Sequence, residues 1–231
     1  MSKILFVVTG ATHWTLKDGT QHPTGYWAEE LLTPYRTLTG AGHEVEFATP
    51  GGVTPVADEG SLAPELNDGV DVRPELDAIA GLQSPQRLED LELSSYDAVF
   101  YPGGHGPMED LAVSAVSGKL LTEALDSGKP LGVVCHGPAA LLAAVREDGT
   151  PTFAGRSITA FSNEEERQGG LADRASWLLE DRLRGLGAEV TVGEPWASHV
   201  VVDGNLVTGQ NPGSSQDLAD RLLQLLVVSA Q

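Results

Sequence analysis

Short apolar runs that stop at glycine and proline alternate along this chain with segments of helical periodicity, and that alternation leaves few folds open. Residues 4–8, 45–48, 98–101 and 131–134 read as strands, and residues 131–134 are wholly apolar, as strands buried on both faces are. Residues 26–39 place Trp27, Leu31, Tyr35 and Leu38 at helical spacing, with Pro34 expected to kink or break the helix. Residues 119–126 are amphipathic, and residues 139–145 are expected to continue as a helix. Residues 53–93 carry only a weak pattern, read as a surface excursion with one or two short helices. Later strands are read at 157–161, 189–192, 200–202 and 206–208, the last two joined by a hairpin turn at Asp203-Gly-Asn205. Helices are read at 177–186, ending at Gly187, and at 217–228. The pattern predicts an α/β fold: a mostly parallel sheet with helices on both faces, a flavodoxin-like three-layer sandwich. No linker divides the chain, so residues 1–231 are read as one domain.

Charge narrows the partners. With 14 Lys and Arg against 33 Asp and Glu, the net charge is −19. Such a chain repels phosphate backbones and anionic lipid, so neither nucleic acid nor a membrane is an expected partner. A single cysteine forms no intrachain disulfide, which fits a reducing compartment. The first apolar run is too short for a signal peptide, and no stretch reaches the roughly 20 apolar residues of a membrane span. The expected location is the cytoplasm.

Four segments carry residues suited to chemistry. In Gly132-Val-Val-Cys-His-Gly-Pro138 an apolar strand runs directly into Cys135 and a helix begins behind it. A strand-to-helix turn projects its residue at the carboxyl end of the sheet, and a helix N-terminus favours a thiolate. The competing reading is a small buried core cysteine. Pro102-Gly-Gly-His-Gly-Pro107 also follows a strand, and its backbone N–H groups suit an anion or an oxyanion, although an ordinary glycine turn explains it too. Phe161-Ser-Asn-Glu-Glu-Glu166 offers carboxylates that orient a histidine, or simply an N-capped helix start. In Thr24-Gly-Tyr-Trp-Ala-Glu-Glu30 the adjacent Glu29 and Glu30 face different sides of a helix, so one of them points inward and is able to carry a proton near neutrality. The six histidines include no His-x-x-x-His pair, so no metal site is expected. His22, His105 and His199 are left as pocket or loop residues.

Taken in order, these motifs resemble the ThiJ/PfpI superfamily, with its class I glutamine amidotransferase-like fold. The branch they most resemble holds glutathione-independent glyoxalases and small heat-shock chaperone-like proteins. The resemblance extends through Asp203-Gly-Asn-Leu-Val-Thr-Gly-Gln-Asn-Pro212 and so covers nearly the whole chain. It implies Cys135 as nucleophile, His136 beside it, Glu30 or His136 as the base that moves the proton, and Glu166 as the acidic partner of His136, selected from the run Glu164–Glu166. Gly103, Gly104 and His105 would bind the oxyanion and substrate. Glutaminases of the wider superfamily carry a late His-x-Glu pair; here His199 is followed by two valines, which argues against glutamine hydrolysis.

The reaction so implied converts methylglyoxal, a small dicarbonyl, to D-lactate. It is a lyase of the glyoxalase III type, also called D-lactate dehydratase, and it detoxifies carbonyl stress. It is an internal redox shift and needs no cofactor. Relatives of this kind commonly form homodimers, although no interface is legible in the sequence. Three alternatives share the fold: a stress chaperone or holdase in which Cys135 is idle, a cysteine hydrolase acting as a deglycase or peptidase, and a redox sensor oxidised at Cys135.

Overall fold

The computed structural model describes residues 1–229, with side chains described to residue 228. In chain order it contains β1 (Lys3–Val7), β2 (His13–Thr15), β3 (Gln21–Pro23), α1 (Ala28–Gly40) and β4 (Glu44–Thr49). Then come α2 (Arg73–Ala78), α3 (Ala80–Gln83), β5 (Gln86–Arg87), β6 (Ala98–Tyr101), α4 (Gly106–Glu109), α5 (Ala115–Asp126) and β7 (Leu131–Val134). The chain continues through β8 (Ser157–Ile158), α6 (Asn163–Gln168), α7 (Leu179–Gly185), β9 (Glu189–Val190), β10 (Val200–Asp203), β11 (Leu206–Gly209) and α8 (Ser215–Ser229).

Seven of these strands form one sheet in the order β10-β11-β7-β6-β1-β4-β5. Every pairing is parallel except the β10–β11 hairpin. The fold is therefore the α/β sandwich with a mostly parallel sheet that the alternation predicts. The central strands are buried end to end because helices cover both faces: β6, β7 and β11 expose no residue. On one face α8 packs beside α1, and its Leu218 and Leu222 lie over Gly132 of β7. α5 packs against the 3-10 helix Gly137–Ala143 that follows β7.

The sequence reading needs four corrections. Pro34 does not break α1; the helix runs through it from Ala28 to Gly40, held by its buried face of Leu31, Leu32 and Leu38. Residues 139–145 do not form an α-helix: the segment is a 3-10 helix whose last turn closes from the Ala144 N–H to the Leu141 carbonyl at 3.2 Å. The strand read at 157–161 stops at Ile158 and pairs with β9 outside the main sheet. Beyond it, the Thr159 N–H donates to the Thr208 hydroxyl at 2.8 Å and the Phe161 N–H to the Cys135 carbonyl at 3.0 Å, so side-chain and turn contacts replace a ladder. The β2–β3 hairpin is additional, in a segment with no strand signal. Among the described residues, no helix is long and apolar enough to cross a membrane.

Candidate active site

The carboxyl ends of β6 and β7 carry two of the four motifs, and α1 and α6 bring the other two to them. Cys135 directly follows β7 and takes φ of 59°, a region that costs any side chain but glycine. Hydrogen bonds over-determine this conformation: the Cys135 N–H donates to the Gly209 carbonyl at 2.9 Å, and its own carbonyl accepts from Phe161. The strained turn lifts the thiol out of the strand direction toward a cavity that His22, Trp27, Gly104, His136 and Trp196 help to line. That cavity measures about 440 Å³.

Glu30 enters from the first turn of α1. It is fully buried, whereas its neighbour Glu29 is partly exposed, so Glu30 is the inward carboxyl of the pair. Its Oε2 accepts the Gly103 N–H at 2.7 Å, and its buried Oε1 has no hydrogen-bond partner among the described residues. Burial drives the Glu30 carboxyl up to about 8, against the opposing pull of Cys135 and the Gly103 N–H. Near neutrality Glu30 is mostly a neutral acid.

The glycine loop after β6 is shaped by this contact. A Cβ at Gly103 would lie 2.5 Å from Glu30 Oε2, and one at Gly104 would lie 2.4 Å from the Gly25 carbonyl, so both positions require glycine. The expected oxyanion group changes as a result. Gly103 has spent its N–H on Glu30, and the His105 side chain turns to a carboxylate. The Gly104 N–H lies near both Cys135 and Glu30, where it favours the anion of either.

The Cys135 thiol lies 3.3 Å from His136 Nδ1, and His136 Nε2 lies 2.8 Å from Glu166 Oε2. Glu166 is thus the member of the Glu164–Glu166 run that meets His136. Its other oxygen meets His105 Nε2 at 2.9 Å. Burial alone would raise the Glu166 carboxyl, but the two histidines overcome it and hold the group well below its usual range. Burial, reinforced by His105, pushes His136 down to about 4. The consequence is a fixed tautomer. Ionised Glu166 can only accept, so both imidazoles carry their proton on Nε2, and the bare Nδ1 of His136 faces the thiol.

The thiolate expected at a helix N-terminus is not the resting form. Burial raises the Cys135 thiol well above its ordinary value, and the Glu30 carboxyl adds to the rise. The 3-10 helix behind it is too short and tight to offset this. At rest the site holds three neutral groups around one buried carboxylate.

His105, His136 and Glu166 also place their ligand atoms within 4.8 Å of one another, a grouping that spacing rules miss because its members are far apart in sequence. Both Nε2 atoms already donate to Glu166, so a cation would have to displace both protons.

Other residues at the site carried no sequence signal. Trp14 of β2 stacks on the His105 ring, with centroids 5.0 Å apart. Trp196 lines the cavity with φ of 65° and stands edge-on to Phe161. It is held there by its N–H on Glu165 at 2.8 Å and its indole N–H on Gln168 at 2.6 Å. Glu165 is a structural carboxylate, and the Ser162-x-x-Glu165 capping box is the signal that marks it. His22 and His105 line the cavity; His199 stands away from it, near Gly193.

A family model described as DJ-1/PfpI matches residues 23–225. The chain belongs to the DJ-1/PfpI family. It is 35% identical over 197 residues to the bovine (Bos taurus) glutamine amidotransferase-like class 1 domain-containing protein 1, covering 82% of this chain and 83% of that one. It is 31% identical over 227 residues to the protein/nucleic acid deglycase HchA of Staphylococcus aureus, covering 94% of this chain and 77% of the relative. The crystal structure of glyoxalase III from Candida albicans superposes with a TM-score of 0.85 at 26% identity, over 97% of each chain. DJ-1/PfpI proteins with this fold thus include glyoxalases and deglycases, and these relatives support glyoxalase or deglycase activity here.

Proposed function

We propose that this protein is a glutathione-independent glyoxalase that converts methylglyoxal to D-lactate through Cys135. The observation that carries the reading is the position of one thiol between a buried neutral carboxyl, Glu30, and an imidazole with a bare nitrogen, His136. Two neutral proton-transfer groups around a nucleophile suit a reaction that moves protons and expels nothing.

The steps balance within the site. The Cys135 proton passes to His136 Nδ1 as sulfur bonds to the aldehyde carbon, and Glu30 protonates the aldehyde oxygen to give a hemithioacetal. Glu30, now a carboxylate, removes the hydrogen of that carbon, and His136 returns its proton to the neighbouring carbonyl oxygen, giving an enediol. Glu30 then delivers a proton to the second carbon and receives the one from the first hydroxyl. The first carbon is oxidised to a thioester and the second reduced to a carbinol. Water cleaves the thioester and restores the thiol. The Gly104 N–H, and the His136 N–H just after the nucleophile, are the donors suited to the developing oxyanions.

Glutamine hydrolysis would need an acid to protonate ammonia, and His199 stands outside the cavity. A deglycase reading is favoured by the named S. aureus relative and would use the same thioester on an aldehyde adduct; the charge of −19 opposes nucleic acid as its carrier. A paired assay tests the proposal. Purified protein should form D-lactate from methylglyoxal without glutathione and release no ammonia from glutamine. Ammonia without D-lactate would overturn it.

A further inference from the structure

The cavity exceeds the needs of a three-carbon substrate. At about 440 Å³ it falls within the roughly 300–1,000 Å³ of sites that enclose drug-sized ligands. One wall also carries an exposed guanidinium whose opposite influence is the Asp18 carboxylate. Arg174 lines the cavity, and among the described residues its guanidinium makes no hydrogen bond or ion pair. Every other arginine has a carboxylate, amide or aromatic partner. In a chain of net charge −19, an unpaired arginine facing a cavity is conspicuous.

The segment that holds it is built into the site. The Arg174 N–H donates to the Leu171 carbonyl at 2.9 Å, and the Leu171 N–H to the Glu166 carbonyl at 3.2 Å. The loop of the β2–β3 hairpin closes over it, with the Lys17 N–H on the Arg174 carbonyl at 3.0 Å. The cation therefore hangs from the same turn as the carboxylate that orients His136. The cavity's carboxylates are occupied: Asp58 accepts from the Thr24 hydroxyl at 2.6 Å and from the Gly60 N–H at 2.8 Å, and Glu166 accepts from two imidazoles. Arg174 feels the Asp18 carboxylate but, among the described residues, has no hydrogen bond or ion pair, so its N–H donors are available to a ligand.

We infer that the site takes 2-oxoaldehydes bearing an anionic group, a carboxylate or a phosphate, with Cys135 receiving the aldehyde and Arg174 the anion. This rests on the glyoxalase reading and names its substrate class. The chemistry is unchanged: the aldehyde carbon is oxidised, the ketone carbon reduced, and one water consumed. Guanidinium suits this role because it presents paired N–H donors to either anion.

The test compares 4,5-dioxopentanoate with its neutral counterpart 2-oxohexanal. Wild-type protein should favour the anion by about tenfold or more in kcat/KM, carried by KM and weakened by salt. Arg174→Gln should bring that ratio to about one, and Arg174→Lys should restore part of it. A wild-type ratio near one, or a ratio untouched by Arg174→Gln, overturns the inference. Binding gives a readout independent of catalysis. 4-Oxopentanoate and hydroxyacetone phosphate lack the aldehyde, and NMR titration should show at least one of them binding wild type about tenfold more tightly than Arg174→Gln; the tighter of the two identifies the anion. If neither distinguishes the two proteins, the subsite is absent. If one does while no oxoaldehyde is turned over, the subsite stands and the glyoxalase reading fails.

Discussion

His105 Nε2 sits 2.9 Å from Glu166 Oε1, on the carboxylate oxygen that His136 leaves free. Two imidazoles thus fix one carboxylate, and His105 orients the group that orients His136. His105 also depresses the basicity of His136, second only to burial. In a His105→Phe variant the His136 imidazole should recover basicity. The acid limb of kcat/KM, expected near pH 4 from His136 in the wild type, should move to higher pH, because a protonated Nδ1 cannot accept the thiol proton. Turnover at neutral pH should fall by about tenfold as Glu166 loses one of its two anchors. An unmoved acid limb would assign His105 to packing alone.

Glu30→Gln should lower turnover by about two to four orders of magnitude, since an amide has no proton to exchange, while Glu29→Gln should have little effect. The same substitution has a signature in stability. The Glu30 carboxyl titrates at about 8 in the folded protein against an ordinary 4.5. The folded state therefore holds an extra proton between those values. The stabilisation is fully present below about pH 4.5 and is lost as pH rises to about 8. The difference in Tm between wild type and Glu30→Gln should accordingly drift against the wild type across that window and flatten above it. A constant difference would mean that the carboxyl is ionised at neutrality.

Cys135 should alkylate slowly at neutral pH. Burial and Glu30 both raise its thiol, so the rate with iodoacetamide should climb into the alkaline range without a plateau below about pH 9. Glu30→Gln removes one cause of the rise and should accelerate alkylation there. A neutral-pH plateau would identify a resting thiolate.

How far the sequence foretold this site depends on the kind of feature. Cys135 was legible from a local pattern, a strand that runs into a turn; local pattern left open which of Glu29 and Glu30 points inward and which of Glu164–Glu166 meets His136, and the family resemblance selected Glu30 and Glu166. The thiol's protonation was not legible. It follows from burial and from the facing Glu30, more than a hundred residues away, and these outweigh the helix N-terminus that local reasoning relied on. The partners of Gly103 and His105 were not legible for a similar reason. A glycine loop shows that backbone N–H groups are available, but not which acceptor already holds them. Arg174 and Trp196 reach the cavity, and Trp14 the His105 ring, from segments without chemical motifs, and only the tertiary fold brings them there. Pro34 shows the reverse case, in which packing of the apolar face of α1 overrides a local helix breaker.

The three adjacent glutamates should separate cleanly by measurement. Glu165 accepts from five donors: the Ser162 N–H and hydroxyl, the Gln210 and Asn211 amides, and the Trp196 N–H. Glu165→Ala strands buried amides and should cost about 3 kcal/mol or more in urea unfolding. Exposed Glu164 contacts Arg167 and Gln168, and Glu164→Ala should stay within about 0.5 kcal/mol. Glu166→Gln should act chiefly on turnover, because an amide cannot accept from both histidines.

The central claim is that Cys135 forms the covalent intermediate of a glyoxalase reaction. Its most direct test is the rate of D-lactate formation from methylglyoxal, without glutathione, by wild type and Cys135→Ala side by side, with matched circular dichroism showing that both are folded. The account predicts D-lactate from the wild type and a loss of at least a thousandfold, down to the uncatalysed background, in the variant. A folded Cys135→Ala protein retaining activity within tenfold of wild type, or a wild type that makes no D-lactate, would contradict it.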